Sequence, residues 1–314
     1  MAEVVTFGEV MAMLVASEAG PLEDVDRFDV RLAGAEMNVA VGLARLGHRV
    51  RYLGAVGDDP FGARARRTLA AEGIDISALA VSTSAPTGFQ LKNRVQRGDP
   101  AVVYFRRGSA AAELAWTPEL ERAVSRARHL HVTGIFPALA PHTHDITAGA
   151  MRAARRSGAT VSFDPNLRPS LWTDETSMIA GVNELAALAD CVLPGLAEGR
   201  RLTGRETAAG IAEHYRARGA AEVVVKSGSR GASAHGRRGS WHAPACPVRV
   251  VDTVGAGDGF AAGWISARIS GADEPTALRR ACAVGALATT SEGDMDGLPT
   301  PRMLEQLLDE APGR

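Results

Sequence analysis

The chain has 314 residues, and its 35 basic side chains nearly cancel 36 acidic ones, leaving a formal net charge of −1. That balance supplies no general field for nucleic acid or an anionic membrane surface, so neither is expected as a partner. Hydrophobic residues at 46% and charged residues at 23% are proportions from which a large globular core can be built.

The opening residues, MAEVVTFGEVMAML, lack a basic segment followed by a long apolar run, and no window is long and apolar enough to cross a bilayer. Cys191, Cys246 and Cys282 lie far apart in no metal-binding spacing, which suits buried thiols in a reducing compartment. A cytoplasmic setting is therefore expected. VVTFG (4–8) reads as a buried strand and AEMNVAVGLARLG (35–47) as a helix. VRYLGAVG (50–57) is a second strand, followed by a helix over 59–73 with Asp59 as N-cap and Gly73 as its stop. Strands are predicted at HLHVTG, TVSFD, CVLP and EVVVKSG, and helices over 146–158, 176–188 and near 206–218. Two small-residue-rich helices, about 257–270 and 274–291, precede a short terminal one. Strands joined by helical crossovers imply an α/β fold with a mostly parallel central sheet covered on both faces.

Residues 11–33 and 86–108 break this rhythm with period-two alternation, as in GFQLKNRV and AVVYFRR, and a turn signal at Gly98-Asp99-Pro100. They read as antiparallel strands of a small inserted β-sheet, a lid over a crevice within one domain spanning 1–314. Exposed lid edges that pair between subunits would give a homo-oligomer.

In an open parallel sheet, ligands bind where strands run out into helices. VRVVDTVGAGDGF (248–260) reads as a strand ending at Val251, a tight loop and a helix start. Gly255 and Gly257 let backbone N–H groups converge, and with the helix dipole they suit a phosphoryl group gathering charge. A carboxylate at Asp258 is repelled by phosphate, but it can take a proton from a hydroxyl that attacks phosphorus; otherwise it is a helix cap. The phosphate loop G-x-x-x-x-G-K-[ST] fails at Ala63-Arg64, and G-x-G-x-x-G is absent after the first strand, which disfavours an NAD(P) oxidoreductase.

AGAEMNVAVGLARLG (33–47) together with DTVGAGDGFAAG (252–263) resembles the paired signatures of the PfkB, or ribokinase-like, sugar kinases. VGDDPFG (56–62), FDPNLR (163–168) and VVVKSGSRGA (223–232) extend the resemblance over nearly the whole chain. It implies a ribokinase-like fold, ATP and Mg2+ as cofactors, and phosphorylation of a sugar hydroxyl. It makes Asp258 the general base and gives Gly255, Ala256 and Gly257 the anion hole. Asn166, Ser227, Gly228 and Gly231 would lie toward the nucleotide, and Asp252 and Thr253 near a monovalent-cation loop, with K+ as the ion. Where the family carries Asn-x-x-Glu, this chain has Gly195 and Glu198, which alters the surroundings of the metal.

Within the family, AGAEMN, YFRRGSAA (104–111) and DPNLRPSLW (164–172) resemble the 2-keto-3-deoxygluconate kinases. A sugar acid carries a carboxylate, for which guanidinium is the natural partner. Arg106 and Arg168 are the candidates, with ATP phosphates as the alternative or additional partner of Arg168, and with Tyr104 and Asn38 for keto and hydroxyl oxygens and Gly34 for close backbone approach. Strand alternation points only one of Arg106 and Arg107 inward, and Gln90 stands where the resembled kinases place a second tyrosine. A neutral-sugar kinase of fructokinase or ribokinase type, or a catalytically silent sugar- or nucleotide-binding module, are the alternatives. His129 and His131 on one strand, and His142 and His144 in a loop beside Pro141, lack metal-site spacing and read as core and surface residues.

Overall fold

A computed structural model describes residues 2–95 and 101–310. The chain opens with β1 (Val4–Phe7), then β2 (Met11–Ala19), β3 (Phe28–Ala33), α1 (Ala35–Arg45), β4 (Val50–Gly57), α2 (Pro60–Ala71) and β5 (Leu79–Ser82). Next come β6 (Phe89–Arg94), β7 (Val102–Phe105), α3 (Pro118–Ser125), β8 (His129–Thr133), α4 (Pro141–Arg156), β9 (Thr160–Asp164) and α5 (Glu175–Ala186). The rest is β10 (Cys191–Val192), α6 (Leu196–Thr203), α7 (Ala208–Arg216), β11 (Glu222–Lys226), β12 (Ala232–Gly236), β13 (Gly239–Ala243), α8 (Ala256–Ile269), α9 (Glu274–Ala288) and α10 (Pro301–Glu310).

Nine strands form the main sheet in the order β13-β12-β11-β10-β9-β8-β1-β4-β5, parallel except for the β11-β12-β13 edge. The strands are apolar on both faces because both are covered. Val5, Phe7, Val223 and Val225 join the core beneath α3 to α7, while Val4 and Val224 face the opposite core with Trp264 and Leu43. From β1 the chain winds outward one way through β4 and β5, and from β8 the other way through β9, β10 and β11. The connections therefore diverge between β1 and β8, which leaves a crevice at the carboxyl ends of those strands.

The expected capping is present: Asp59 accepts the Gly62 N–H at 2.8 Å at the start of α2, and Gly73 closes its end in a left-handed turn at φ +72°. The lid is a four-stranded sheet in the order β3-β2-β6-β7. Its central pair, β2 and β6, is parallel rather than antiparallel, because β3, α1, β4, α2 and β5 intervene in the chain and bring β6 back in the same direction. The turn expected at 98–100 lies outside the described residues.

Other expectations are corrected. No strand ends at Val251: residues 244–255 run irregularly from β13 to α8, and Val250 and Val251 sit exposed on the surface. Beyond the antiparallel edge no neighbouring strand remains to pair them. The β12-β13 hairpin, α3 and α6 were not anticipated. The helix expected from 146 begins at Pro141, which fits its first turn, so His142 and His144 lie in that turn and not in a loop. The helix expected over 274–291 ends at Ala288.

His129 and His131 are core residues of β8. His129 bonds Thr160 Oγ1 at 2.7 Å and Ser162 Oγ at 2.8 Å, and His131 shares the Ser162 hydroxyl at 2.8 Å. Burial holds both imidazoles neutral, with pKa values pushed down to about 3. An unfolded histidine titrates near ~6.5, so between that pH and about 3 the unfolded chain binds protons the native chain refuses. Their contribution to stability is complete above ~6.5 and is lost as pH falls. Urea unfolding at pH 7.5 and 5 is expected to show this loss, and His131→Asn, which keeps a polar side chain, is expected to lessen it.

Candidate active site

The crevice at the divergence point has a volume of about 910 Å³. Its walls come from segments that leave parallel strands at their carboxyl ends: Glu9 after β1, Ile135 after β8, Asp164 and Asn166 at the end of β9, Gly195 after β10 and Lys226 ending β11. The lid contributes Gln90, Lys92, Tyr104 and Arg106, and the start of α8 contributes Gly255, Gly257 and Asp258.

Asp258 sits in the first turn of α8 and is almost wholly buried. Its Oδ2 accepts Asn38 Nδ2 at 2.8 Å, and its Oδ1 accepts Asn166 Nδ2 at 3.3 Å. Burial raises its pKa to about 6, with Asp294 adding to the rise while the Asn38 bond and the charges of Lys226 and Arg168 oppose it. Helix geometry leaves the first-turn amides without i−4 carbonyls, and Ala256 N–H makes only a long 3.4 Å bond to the Thr253 carbonyl, so this turn can receive an anion in front of the carboxylate. Gly255 makes this start possible. It has φ +79°, and a Cβ there would stand 2.4 Å from the Asp294 carbonyl oxygen.

Asn166 supports the same carboxylate from β9. It is the non-glycine residue with positive φ among the described residues, at +39°, a conformation that asparagine tolerates better than most. Arg168 Nη1 braces it by donating to Asn166 Oδ1 at 2.7 Å and to the Leu167 carbonyl at 3.0 Å. Glu198 secures the following peptide: Oε1 accepts Leu167 N–H at 2.7 Å and Oε2 accepts Gly195 N–H at 2.8 Å. Gly195, in place of the family's asparagine, is thus the N-cap of α6.

Of the two neighbouring arginines, Arg106 points inward and Arg107 is exposed. Arg106 does not face the crevice as a free cation. Its Nε donates to Glu9 Oε2 at 2.7 Å and its Nη2 lies 2.5 Å from the same oxygen, while Ser109 donates to Glu9 Oε1. Tyr104 lies against it, with the guanidinium carbon 5.6 Å from the ring centroid. Gly34 lines the wall as foreseen, and a Cβ there would stand 2.6 Å from the Glu9 carbonyl oxygen. Asn38, read as a ligand for sugar oxygens, uses its amide nitrogen on Asp258, while its Oδ1 is buried without a partner. Lys226 and Gly228 line the crevice beside Gly257, whereas Ser227 and Gly231 lie behind, closing the turn through Ser227 N–H to the Gly231 carbonyl at 2.8 Å.

Six charged residues of the crevice escaped the sequence reading. Glu9 and Lys226 pair with Arg106 and Asp164 respectively, Lys92 reaches Asp252 at 2.9 Å, and Glu36 accepts Thr133 Oγ1 at 2.6 Å. Burial raises Asp164 to about 6 and Glu36 to about 7. Burial alone would lower Lys226, but Asp164, Glu198 and Asp258 together raise it. Asp294 is buried with Oδ1 unpartnered, and its pKa is raised to about 6 by burial first. A signal existed for Glu9, Asp164 and Lys226, since each is a charge at the carboxyl end of an apolar parallel strand. Asp294 lies in a loop among Glu292 and Asp296, where nothing in the sequence singles it out.

The model of the pfkB family carbohydrate kinases matches residues 1–301. A 2-dehydro-3-deoxygluconokinase of Bacillus subtilis is 48% identical over 309 residues, covering 98% of this chain and 95% of its own. Among solved structures, an Escherichia coli protein assigned as ribokinase II, in complex with ATP and Mg2+, superposes with a TM-score of 0.91 at 28% identity, over 98% of this chain and 99% of its own. A fructokinase double mutant of Vibrio cholerae, with fructose, ADP and potassium ion bound, gives 0.84 at 27% identity, over 98% of each chain. With the lidded nine-stranded sheet and a carboxylate at the start of α8, these likenesses establish that the chain belongs to the PfkB family of carbohydrate kinases.

Proposed function

We propose that the protein phosphorylates 2-keto-3-deoxygluconate (2-dehydro-3-deoxygluconate) at its 6-hydroxyl, using ATP. The observation that carries this reading is the Asp258 carboxylate, held by two amide side chains in front of open helix amides and free of any direct ion pair. Such a group would accept the hydroxyl proton as the sugar oxygen attacks the γ-phosphorus and the bond from that phosphorus to the departing ADP breaks, while the amides of Gly255, Ala256 and Gly257 would receive the growing charge. Asp164, Asn166, Glu198, Lys226 and Gly228 mark the nucleotide end. The Asp164 and Glu198 carboxylates there already accept Lys226 and backbone N–H groups, so they would hold Mg2+ through its water molecules, and the ion would neutralise the phosphates when bound.

At the sugar end, Arg168 and the remaining donors of Arg106 face the acid group, and Tyr104 and Gln90 face the keto oxygen. Expulsion of water under the lid strengthens each of these contacts. The similarity to the Bacillus subtilis enzyme supports this substrate over a neutral sugar. Three free cysteines support a reducing, cytoplasmic setting, and no described helix is long and apolar enough to cross a membrane.

Asp258→Asn is expected to lower turnover by about 10²–10⁴-fold with ATP binding intact, read by ADP release and nucleotide titration. Near-normal turnover would remove Asp258 from the role. The base works ionised, so kcat/KM is expected to fall about tenfold per pH unit below ~6. Asp258 and Asp294 interact, so the apparent value belongs to the pair.

Arg168→Ala is expected to cost about 2–5 kcal/mol in binding of the acid and far less for fructose, measured as KM on a panel of sugar acids and neutral sugars. Equal losses would assign Arg168 to bracing Asn166. Arg106 is a poorer probe, because its removal leaves the buried Glu9 carboxylate unpaired.

We also propose a homo-oligomer joined through the lid. β7 is an edge strand whose Val103 and Phe105 are exposed beside the stacked Phe89, a surface of the kind that pairs between copies. Phe105→Glu is expected to yield monomers in sedimentation velocity. An unchanged assembly, or a monomeric parent, would contradict this.

A further inference from the structure

Resting on the carbohydrate-kinase reading, we propose that the Lys92 ammonium of the lid replaces a monovalent metal cation at Asp252, so that the enzyme is independent of potassium. The family resemblance places a cation near Asp252 and Thr253, and potassium accompanies the Vibrio cholerae fructokinase. The residues at this position do not fit that ion. Asp252 Oδ2 accepts Lys92 Nζ at 2.9 Å, and Oδ1 accepts the Val254 N–H at 3.1 Å. The nearby Thr289 carbonyl accepts Val251 N–H at 2.8 Å and Asp252 N–H at 3.2 Å. Both carboxylate oxygens of Asp252 and the Thr289 carbonyl beside them therefore already face donors.

The location of Lys92 follows from strand periodicity. On β6, Gln90 and Lys92 are the buried polar residues two apart, turned toward the crevice, with Lys92 opposite Val15 of β2 and Val102 of β7. The Lys92 side chain is only 9% exposed. Asp252 bonds the ammonium, and the buried Asp294 adds its attraction. A potassium ion beside it would meet a like charge in a low-dielectric site.

The positive charge that orders the loop before α8 thus belongs to the lid and travels with it. Other lid cations meet the segment after α9: Arg31 contacts Asp296 at 2.7 Å and Arg94 reaches Glu292 at 3.4 Å. Those pairs are more exposed and individually weak, so they guide the seating of the lid while Lys92 completes the loop. Seating the lid and shaping the anion hole are in this way one event.

The test compares about 100 mM potassium, sodium or choline chloride at fixed ionic strength, using both melting temperature and ADP release. The parent protein is expected to vary by less than about 1 °C and about twofold among these salts. Lys92→Ala is expected to lose at least about tenfold in kcat/KM, and to regain part of the activity and several degrees of melting temperature with potassium or methylammonium. Potassium activation or stabilisation of the parent beyond those limits overturns the proposal. So does a folded Lys92→Ala protein indifferent to every cation. Should that variant fail to fold, the parent's salt series decides the matter, and Asp252→Asn/Lys92→Met, which removes both charges, serves as the second variant: it is expected to be cation-independent, and potassium stabilisation of it overturns the proposal. Melting temperature needs no sugar, so failure of the substrate reading and failure of this one are separable.

Discussion

Asp258 depends on being kept out of ion pairing. The crevice contains several cations, yet Arg106 bonds Glu9, Lys226 bonds Asp164 and Lys92 bonds Asp252. Asp258 receives only neutral amide donors, from Asn38 and Asn166. A carboxylate paired directly with a guanidinium would be stabilised as the anion and become a weak base. Burial has the opposite effect and outweighs the Asn38 bond, so the group is raised to about 6 while remaining ionised at neutral pH. Pairing Arg106, Lys226 and Lys92 with other carboxylates, so that Asp258 has no ion pair, is the constraint that the site satisfies.

That arrangement requires several segments distant in the chain to meet. Asn38 comes from α1, Asn166 from the loop after β9, and the carboxylate from α8. Only the crevice between β1 and β8 gives all three access to the same point, because the chain winds away from it in both directions. The left-handed backbone at Asn166 is held in place by Arg168 and Glu198, so residues remote from the carboxylate determine where the amide points. Glu198 acts here through backbone N–H groups, consistent with a glycine at 195 that lacks a side chain to share the work.

The lid is joined to the body by more than shape. Its Arg106 is anchored on Glu9 from the end of β1, and its Lys92 on the loop that enters α8. One lid sheet thus contacts both the end of β1 and the loop that enters α8. The edge strand β7 of the same sheet carries exposed apolar side chains, Val103 and Phe105.

Much of this was legible in the sequence. Helices, their caps and the parallel strands follow from local periodicity and from short-range bonds such as Asp59 to Gly62, and local signals do not depend on what packs against them. The glycine turn before Asp258 was equally readable, because its backbone geometry excludes other residues. Tertiary structure decided what depends on partners far along the chain. Val250 and Val251 look like a strand but have no strand to pair with, and the direction of β6 against β2 is set by the elements between them. Whether Arg106 or Arg107 turned inward, that Glu9 would meet the inward one, and that Asp294 would come beside Asp258 are matters of packing. Charges acquire their roles from neighbours in space, and a linear pattern does not specify those neighbours.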